Sequence, residues 1–378
     1  MKVGILYYSL LDATGRNQCI GGVETYILNL ARVCRDLDWD VTVFQYGDTE
    51  FSVQMDACAV AGVPVPGLSH EKKKARLFAL ACERLDPTRD MIVFGADHVS
   101  VPTRTRRAIA IQHGIAWDLP PRHLTRNPLC AFSWGRALKK IKARRDAIRR
   151  FDNCRNRVCV DYNFFNWYRT MTPHEPAGNI WVIPNCAPVL SADEAAKRPD
   201  PPLRVLFARR FVEFRGTRLL AGVAKRLLEQ HPGVEFTFAG EGPDERWLRE
   251  TFARQPRVTI VKYLPQDSTE IHRRHHIAVV PSLASEGTSL SVVEAMGAGC
   301  AVVATCVGGI TNLIIDGHNG LLAMPNAESL HAALRRLIEN APLRRDLGIE
   351  ARRCAEVSFN LPLWKRRWRA VLEQVAAM

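Results

Sequence analysis

No run of apolar residues in this 378-residue chain approaches the roughly 18 that a membrane-spanning helix requires. The N-terminus, MKVGILYYSLLDATGRNQ, lacks the longer apolar core and small-residue cleavage site of a secretion signal, so none is expected. No CxxC pair occurs. The eleven cysteines are scattered and odd in number, which argues against a disulfide framework or metal-ligand spacing and for a reducing cytosol. Short-period repeats and low-complexity tracts are missing too. Acidic residues are in deficit, 39 against 52 Lys and Arg, for a formal charge of +13. The 47% hydrophobic and 24% charged content is that of a soluble globular protein and excludes a disordered or collagenous chain. At about 150 residues per domain the length suggests two domains. The charge excess is the unusual number, and it points to nucleic acid, an anionic membrane or an anionic substrate.

Organisation follows from hydrophobic periodicity. "KVGILYY" reads as a strand, and "VETYILNLARVCRDLD" places Ile27, Leu28, Leu30, Ala31 and Cys34 at helical spacing before a second strand, "DVTVFQY". Further strands are expected over 91–96, 108–112, 158–161 and 179–184. "NCAPVLSADEAAKRPDPPLR" lacks periodicity and reads as a linker. Beyond it, "RVLFAR", "VEFTFAG", "VTIVKYL", "IAVVPS" and "AVVAT" alternate with helical stretches near 216–230, 243–254, 267–275 and 289–298. The expectation is an α/β chain of two Rossmann-like doubly wound domains facing a ligand cleft. Their bounds are 1–186 and 204–356, with a linker over 187–203 and a last helix over 357–378.

The sharpest chemistry lies in "PSLASEGTSLSVVEAMGAG". Glu286 stands in a loop after a strand, Gly287 allows close backbone approach, and Thr288 and Ser289 are placed to cap the next helix. The N-terminus of that helix would aim free amides at a phosphate or a sugar hydroxyl. Glu294 falls about one and a half turns inside the helix, so the two carboxylates can address different parts of one long ligand.

This passage resembles the E-x7-E element of retaining glycosyltransferases of family four, which have the GT-B fold. "FARRFVEFRG", "FAGEGP", "YLPQDSTEIHRRHHIAVVPS" and "GAGCAVVATCVGGITNLIIDGHNGLLAMPNAESL" resemble family segments in the same order, as do "GGVETYILNLA" and "IQHG" nearer the start. The resemblance implies that the C-terminal domain binds a nucleotide-diphosphate sugar as co-substrate, with no cofactor and no metal. The N-terminal domain would bind a glycan or lipid-linked acceptor. Glu294 would hold the ribose hydroxyls. Glu286, with the amides of Gly287, Thr288 and Ser289, would hold the donor sugar. Arg210 and Arg215 match the family's cationic pair on the diphosphate, where fixed cations stabilise the leaving group. Arg209 stands where the family usually has glycine and Arg215 where it usually has lysine, so either Arg209 or Arg210 is the one that faces the phosphates. Gly240, Tyr263 and Leu264 border the implied nucleotide site. Gly21 and Gly22 match glycines that approach diphosphate and sugar, and His113 matches a histidine near the reacting sugar. Transfer with retention is implied, by front-face departure rather than through a covalent intermediate. In the family the last helix often returns to the N-terminal domain, and this one is expected to be structural.

Residues 121–157 hold twelve Lys and Arg against two acids, nearly the whole charge excess. Trp134, Leu138, Ile141, Ile148 and Phe151 form one helical stripe, with Lys139, Lys140, Lys142, Arg145 and Arg149 around it. Two readings stand: a core-packed helix with a solvated basic face, or one drawn to an anionic membrane surface. The second suits a cytoplasmic enzyme, peripheral on the inner face of the membrane, in lipopolysaccharide or cell-surface polysaccharide biosynthesis. Competing classes are another GT-B enzyme, such as a sugar phosphorylase or epimerase, and a basic nucleic-acid-binding protein. For the last, no helix-turn-helix, zinc-finger or RNP pattern is present.

Overall fold

The computed structural model describes residues 1–19, 21–115, 117–118, 133–172, 177–198 and 201–378. They divide into two compact units. The first comprises 1–113, 137–184 and 364–378, and the second 114–136 and 185–363.

The first unit is built on the strands β1 (Lys2–Leu6), β2 (Asp40–Gly47), β3 (Phe51–Gln54), β4 (Ala59–Pro64), β5 (Met91–Phe94), β6 (Ala108–Gln112), β7 (Asn156–Cys159) and β8 (Asn179–Val182). Their order is β3-β4-β2-β1-β5-β6-β7-β8, parallel throughout except for β3 against β4. β5 and β6 are buried at every residue, as expected of central strands covered by helices on both faces. β3 and β4 are not apparent from hydrophobic alternation. β3 is a half-exposed edge, and its Phe51 lies over Gly62 in β4, where a Cβ would collide with the ring. The chain's last helix, Leu361–Ala376, contributes Trp364 onward to this unit. Trp368 is fully buried and donates from Nε1 to the Tyr26 hydroxyl at 2.9 Å, while Lys365 pairs with Asp36 at 2.9 Å.

The second unit contains β9 (Leu203–Ala208), β10 (Val234–Ala239), β11 (Val258–Val261), β12 (Ile277–Val280), β13 (Ala301–Thr305) and β14 (Leu321–Ala323). All pairings are parallel, in the order β11-β10-β9-β12-β13-β14. Phe207, Phe211, Phe236, Phe238, Leu220 and Leu227 pack one face of this sheet, and Val292, Met296, Val302 and Ile310 pack the other. The strand order reverses between β9 and β12, and a doubly wound sheet binds ligands beyond the carboxyl ends at such a point.

Residues 187–203, read from sequence as a linker, pack into this unit in their described part. The Ala187 amide donates to the Phe359 carbonyl, Leu190 donates to Gly297, and Ser191 forms a capping box with Glu194 on the helix Ala192–Ala196. Capping and local hydrogen bonds order a stretch that has no apolar period to signal it. Residues 114–136, read as part of the N-terminal domain, group with the second unit. The Ser285 amide donates to Asp118 Oδ2 at 2.8 Å there.

The helix Ser133–Phe151 takes its apolar stripe only partly into the core. Phe151 and Ala147 are buried, whereas Leu138 and Ile141 are 56% and 49% exposed. Residues 121–132 of the basic segment and the Trp134 side chain lie outside the described residues.

Candidate functional site

Most of the acidic passage's neighbours gather at the carboxyl ends of β9 and β12. Arg209 follows β9 directly. Its buried side chain donates from Nη1 to the Ser282 hydroxyl at 2.6 Å and from Nη2 to Glu286 Oε1 at 2.5 Å. Arg215, at the end of the turn Glu213–Arg215, reaches the same Oε1 at 2.8 Å, and the Ser282 hydroxyl donates to it as well. Burial alone would push the Glu286 carboxyl up. The guanidinium groups of Arg209 and Arg215 and the Ser282 hydroxyl outweigh it and hold the group well below the usual carboxylate range. Glu286 is therefore an ionised acceptor at neutral pH. Arg210 points elsewhere: it is exposed and has no ion pair among the described residues.

The loop carrying Glu286 is held on several sides. Gly309 donates its amide to the Glu286 carbonyl at 2.8 Å, and Thr305 Oγ1 donates to the Ser282 carbonyl at 2.6 Å. Gly308 has φ +52°, and a Cβ there would lie 2.6 Å from the Glu286 nitrogen, so only glycine lets the two loops meet. Asn185 Nδ2 donates to the Thr288 carbonyl at 2.7 Å, and Ser291 Oγ ties the following helix to the Ala208 carbonyl at 3.1 Å.

That helix, Leu290–Gly297, begins at Ser289, whose hydroxyl makes no capping hydrogen bond and is buried without a partner among the described residues. The cap expected there is therefore a backbone position only. The uncapped first turn keeps amides available to an incoming anion or hydroxyl. Burial pushes the Glu294 carboxyl up to about 7, against the hydrogen bond from Ser268. Tyr263 is raised by burial and then by the charge of Glu294, so these two side chains share one environment. Leu264 beside it is 47% exposed. Gly240, at φ +145°, underlies the Arg209 carbonyl, where a side chain would clash; its part is to let the ends of β9 and β10 close together.

In the first unit, Gly21 and Gly22 open the helix Gly22–Arg35. Glu24 in its first turn accepts from the Tyr7 hydroxyl at 3.0 Å, and its carboxylate occupies the space beside Gly21. A carboxylate there suits hydroxyl groups better than phosphate. His113 follows β6, its Nε2 is 2.8 Å from the Gly95 carbonyl, and burial lowers it to about 4. The ring is neutral at pH 7, with Nε2–H donating to Gly95 and Nδ1 left as an acceptor.

Ser282, Asn185 and Asp118 are the site-building residues that sequence reading does not single out. Ser282 had a signal, since it closes the strand-like run "IAVVPS" four residues before Glu286. Asp118 had none, because its contact to Ser285 spans 167 residues. Among the described residues no cluster of three His, Cys, Asp or Glu side chains has metal-ligating geometry.

Residues 202–340 match the family model described as Glycosyl transferases group 1. The phosphatidylinositol N-acetylglucosaminyltransferase gpi3 subunit of Schizosaccharomyces pombe is 32% identical over 167 residues, covering 42% of this chain and 35% of the relative. The amylovoran biosynthesis glycosyltransferase AmsK of Erwinia amylovora is 30% identical over 187 residues, covering 46% of each. The chain thus spans about a third of the first relative and under half of the second. In fold, it is similar to sucrose-phosphate synthase from Thermosynechococcus elongatus over 100% of this chain and 99% of the other, with a TM-score of 0.76 at 17% identity. It is likewise similar to Anabaena Alr3699/HepE in complex with UDP-glucose over 100% of both chains, with a TM-score of 0.73 at 17% identity. The fold is GT-B.

Proposed function

From a chain that carries a glycosyl transferases group 1 domain in a GT-B fold, we propose a retaining glycosyltransferase that moves a sugar from a nucleotide-diphosphate donor to a glycan or lipid-linked acceptor. The observation that carries this is the ionised Glu286, held by Arg209, Ser282 and Arg215 beside an uncapped helix N-terminus, with Glu294 farther along the same helix. Glu286 accepts from donor-sugar hydroxyls and Glu294 from the ribose. Arg215, joined by the exposed Arg210, neutralises the leaving diphosphate without need of a metal. The bond from the anomeric carbon to the phosphate oxygen breaks, and the acceptor oxygen bonds to that carbon from the same face. The acceptor's hydroxyl proton passes to the departing diphosphate. His113, neutral at pH 7, keeps Nδ1 as an acceptor for a hydroxyl group.

The donor is tested by thermal shift against UDP-glucose, UDP-N-acetylglucosamine, UDP-galactose and GDP-mannose, each beside its bare diphosphate. The true donor raises the melting temperature, because a ligand at about a hundred times its Kd contributes about 2.7 kcal/mol. No shift with any of them, together with phosphorolysis of a sugar in inorganic phosphate, favours a GT-B phosphorylase.

For the acceptor side, the exposed pair Leu138 and Ile141 among Lys139, Lys142 and Arg145 supports a membrane-peripheral enzyme of the cytoplasmic face, acting in lipopolysaccharide or cell-surface polysaccharide biosynthesis. No helix among the described residues is long and apolar enough to cross a membrane. Each cation near an anionic surface contributes about 1 kcal/mol. Reversing Lys139, Lys140, Lys142, Arg144 and Arg145 therefore lowers partition into phosphatidylglycerol vesicles at least about a hundredfold in a sedimentation assay. Wild-type protein that ignores such vesicles at low salt removes the membrane from the reading.

A further inference from the structure

Arg209 stands where the motif this segment resembles usually has glycine, and its long, charged side chain is directed inward. Its side chain is 4% exposed, whereas that of Arg215 is 35% exposed, and both guanidinium groups meet the same oxygen, Glu286 Oε1. The two cations therefore differ in freedom. Arg215 can leave Glu286 for another anion and stay partly hydrated. Arg209 leaving Glu286 would be a buried charge without its counter-ion, a strongly unfavourable state. Arg209 Nε is already buried without an acceptor among the described residues, an unfavourable state for a donor group.

A diphosphate entering at the end of β9 competes with Glu286 for Arg215. Resting on the reading of Glu286 as the donor-sugar carboxylate, we propose that Arg209 is a positioning residue that anchors Glu286 Oε1 while Arg215 exchanges from Glu286 to the diphosphate, leaving Oε2 for the sugar hydroxyls. The exchange needs no net desolvation of new charge, since each cation keeps an anion throughout. It also couples diphosphate capture to sugar recognition: the carboxylate stays aimed although one of its partners has gone. Ser282 supports the arrangement by donating to the same oxygen while accepting from Arg209 Nη1.

Loss of Arg209 has a consequence that a merely structural residue would not have. The groups facing Glu286 are Arg209 from the end of β9, Arg215 from the turn before the helix Thr217–Gln230, Ser282 beyond β12, and the Gly309 amide on its carbonyl; Asp118 sits on the neighbouring Ser285 amide. With Arg209 gone and Arg215 on the diphosphate, no cation remains against a buried carboxyl, which then takes up a proton as the pH falls.

The test is calorimetric titration of the full chain from pH 5.5 to 8.5 with each nucleotide sugar of the panel above and with its bare diphosphate. Wild type, Arg209→Met, Arg209→Lys, Glu286→Gln and the Arg209→Met/Glu286→Gln double variant are compared. In wild type the affinity gained from the sugar is flat with pH. In Arg209→Met the bare diphosphate binds within about threefold of wild type, the gain from the sugar falls about tenfold, and it acquires an acid limb. Arg209→Lys recovers most of the gain, and the double variant binds no more weakly than Glu286→Gln alone. A wild-type gain with a flat profile in Arg209→Met overturns the inference, as do additive losses in the double variant. The double variant removes both buried charges, so it serves if Arg209→Met fails to fold. Wild type that binds no nucleotide at all instead overturns the donor-site reading itself.

Discussion

Glu286→Gln is expected to lower sugar transfer by about two to three orders of magnitude, the scale seen when one fixed electrostatic contact to a transition state is removed. The carboxylate is ionised because two guanidinium groups and a hydroxyl converge on Oε1 despite burial. An amide keeps the size but replaces one acceptor oxygen with a donor. It then either turns its NH2 toward Arg209, where donor faces donor, or presents NH2 to sugar hydroxyls that need an acceptor. The loss falls on kcat with the sugar donor, while bare diphosphate binding changes within about threefold. Stability falls as well, because a buried ion pair missing one partner costs about 3–5 kcal/mol. The Arg209→Met/Glu286→Gln double variant separates the two effects, since it should melt closer to wild type and stay inactive. A Glu286→Gln protein that turns over within fivefold of wild type would falsify the assignment of this residue to the donor sugar.

Glu294→Gln should weaken nucleotide binding about ten- to hundredfold and, at the same time, stabilise the free protein above neutral pH. Burial raises this carboxyl to about 7 from an ordinary value of 4.5. For a group raised in the folded state, the stabilising contribution is complete below the unfolded value and is lost as pH climbs through the folded one. The free protein should therefore lose stability between about pH 4.5 and 7 on account of Glu294. Ribose hydroxyls donate to the ionised form, so nucleotide affinity should rise over the upper part of that range. The glutamine variant lacks both dependences. It should gain about 1–2 kcal/mol at pH 8, roughly 3–6 °C in melting, and its nucleotide affinity should be flat with pH. Calorimetric titration and thermal melting at pH 5.5, 7 and 8.5 measure both. Wild-type affinity that does not change with pH, with a variant that binds as tightly, removes Glu294 from the ribose.

Much of the architecture is legible in the sequence. The runs at 108–112 and 301–305 are strands over those same residues, and the helix expected near 289–298 covers Leu290–Gly297. These elements are legible because a parallel strand buried on both faces must be apolar at every position, while the helix is bracketed by Thr288 and Ser289 at its start and by Gly297 and Gly299 at its end. β3 and β4 are not, since an edge strand and a glycine filled by a neighbour's ring have no such pattern. Order in the described part of 187–203 has no apolar period to signal it, because it comes from capping and single hydrogen bonds.

From the sequence alone follow the two α/β units, the carboxylates at 286 and 294 flanking a helix start, and the resemblance that gives them a ligand. The composition also locates the charge excess in one stretch of the chain. Only the tertiary structure decides which of two adjacent arginines serves Glu286. Successive residues leaving a strand point to opposite sides, so one of Arg209 and Arg210 must turn inward, and their own chemistry is identical. The choice rests on Ser282 and Glu286, which lie 73 and 77 residues away and reach Arg209 only because β12 pairs with β9. The exposed pair Leu138 and Ile141 is of the same kind. A helix carries its apolar stripe in its own sequence, but how far along the stripe the core reaches depends on what packs against it.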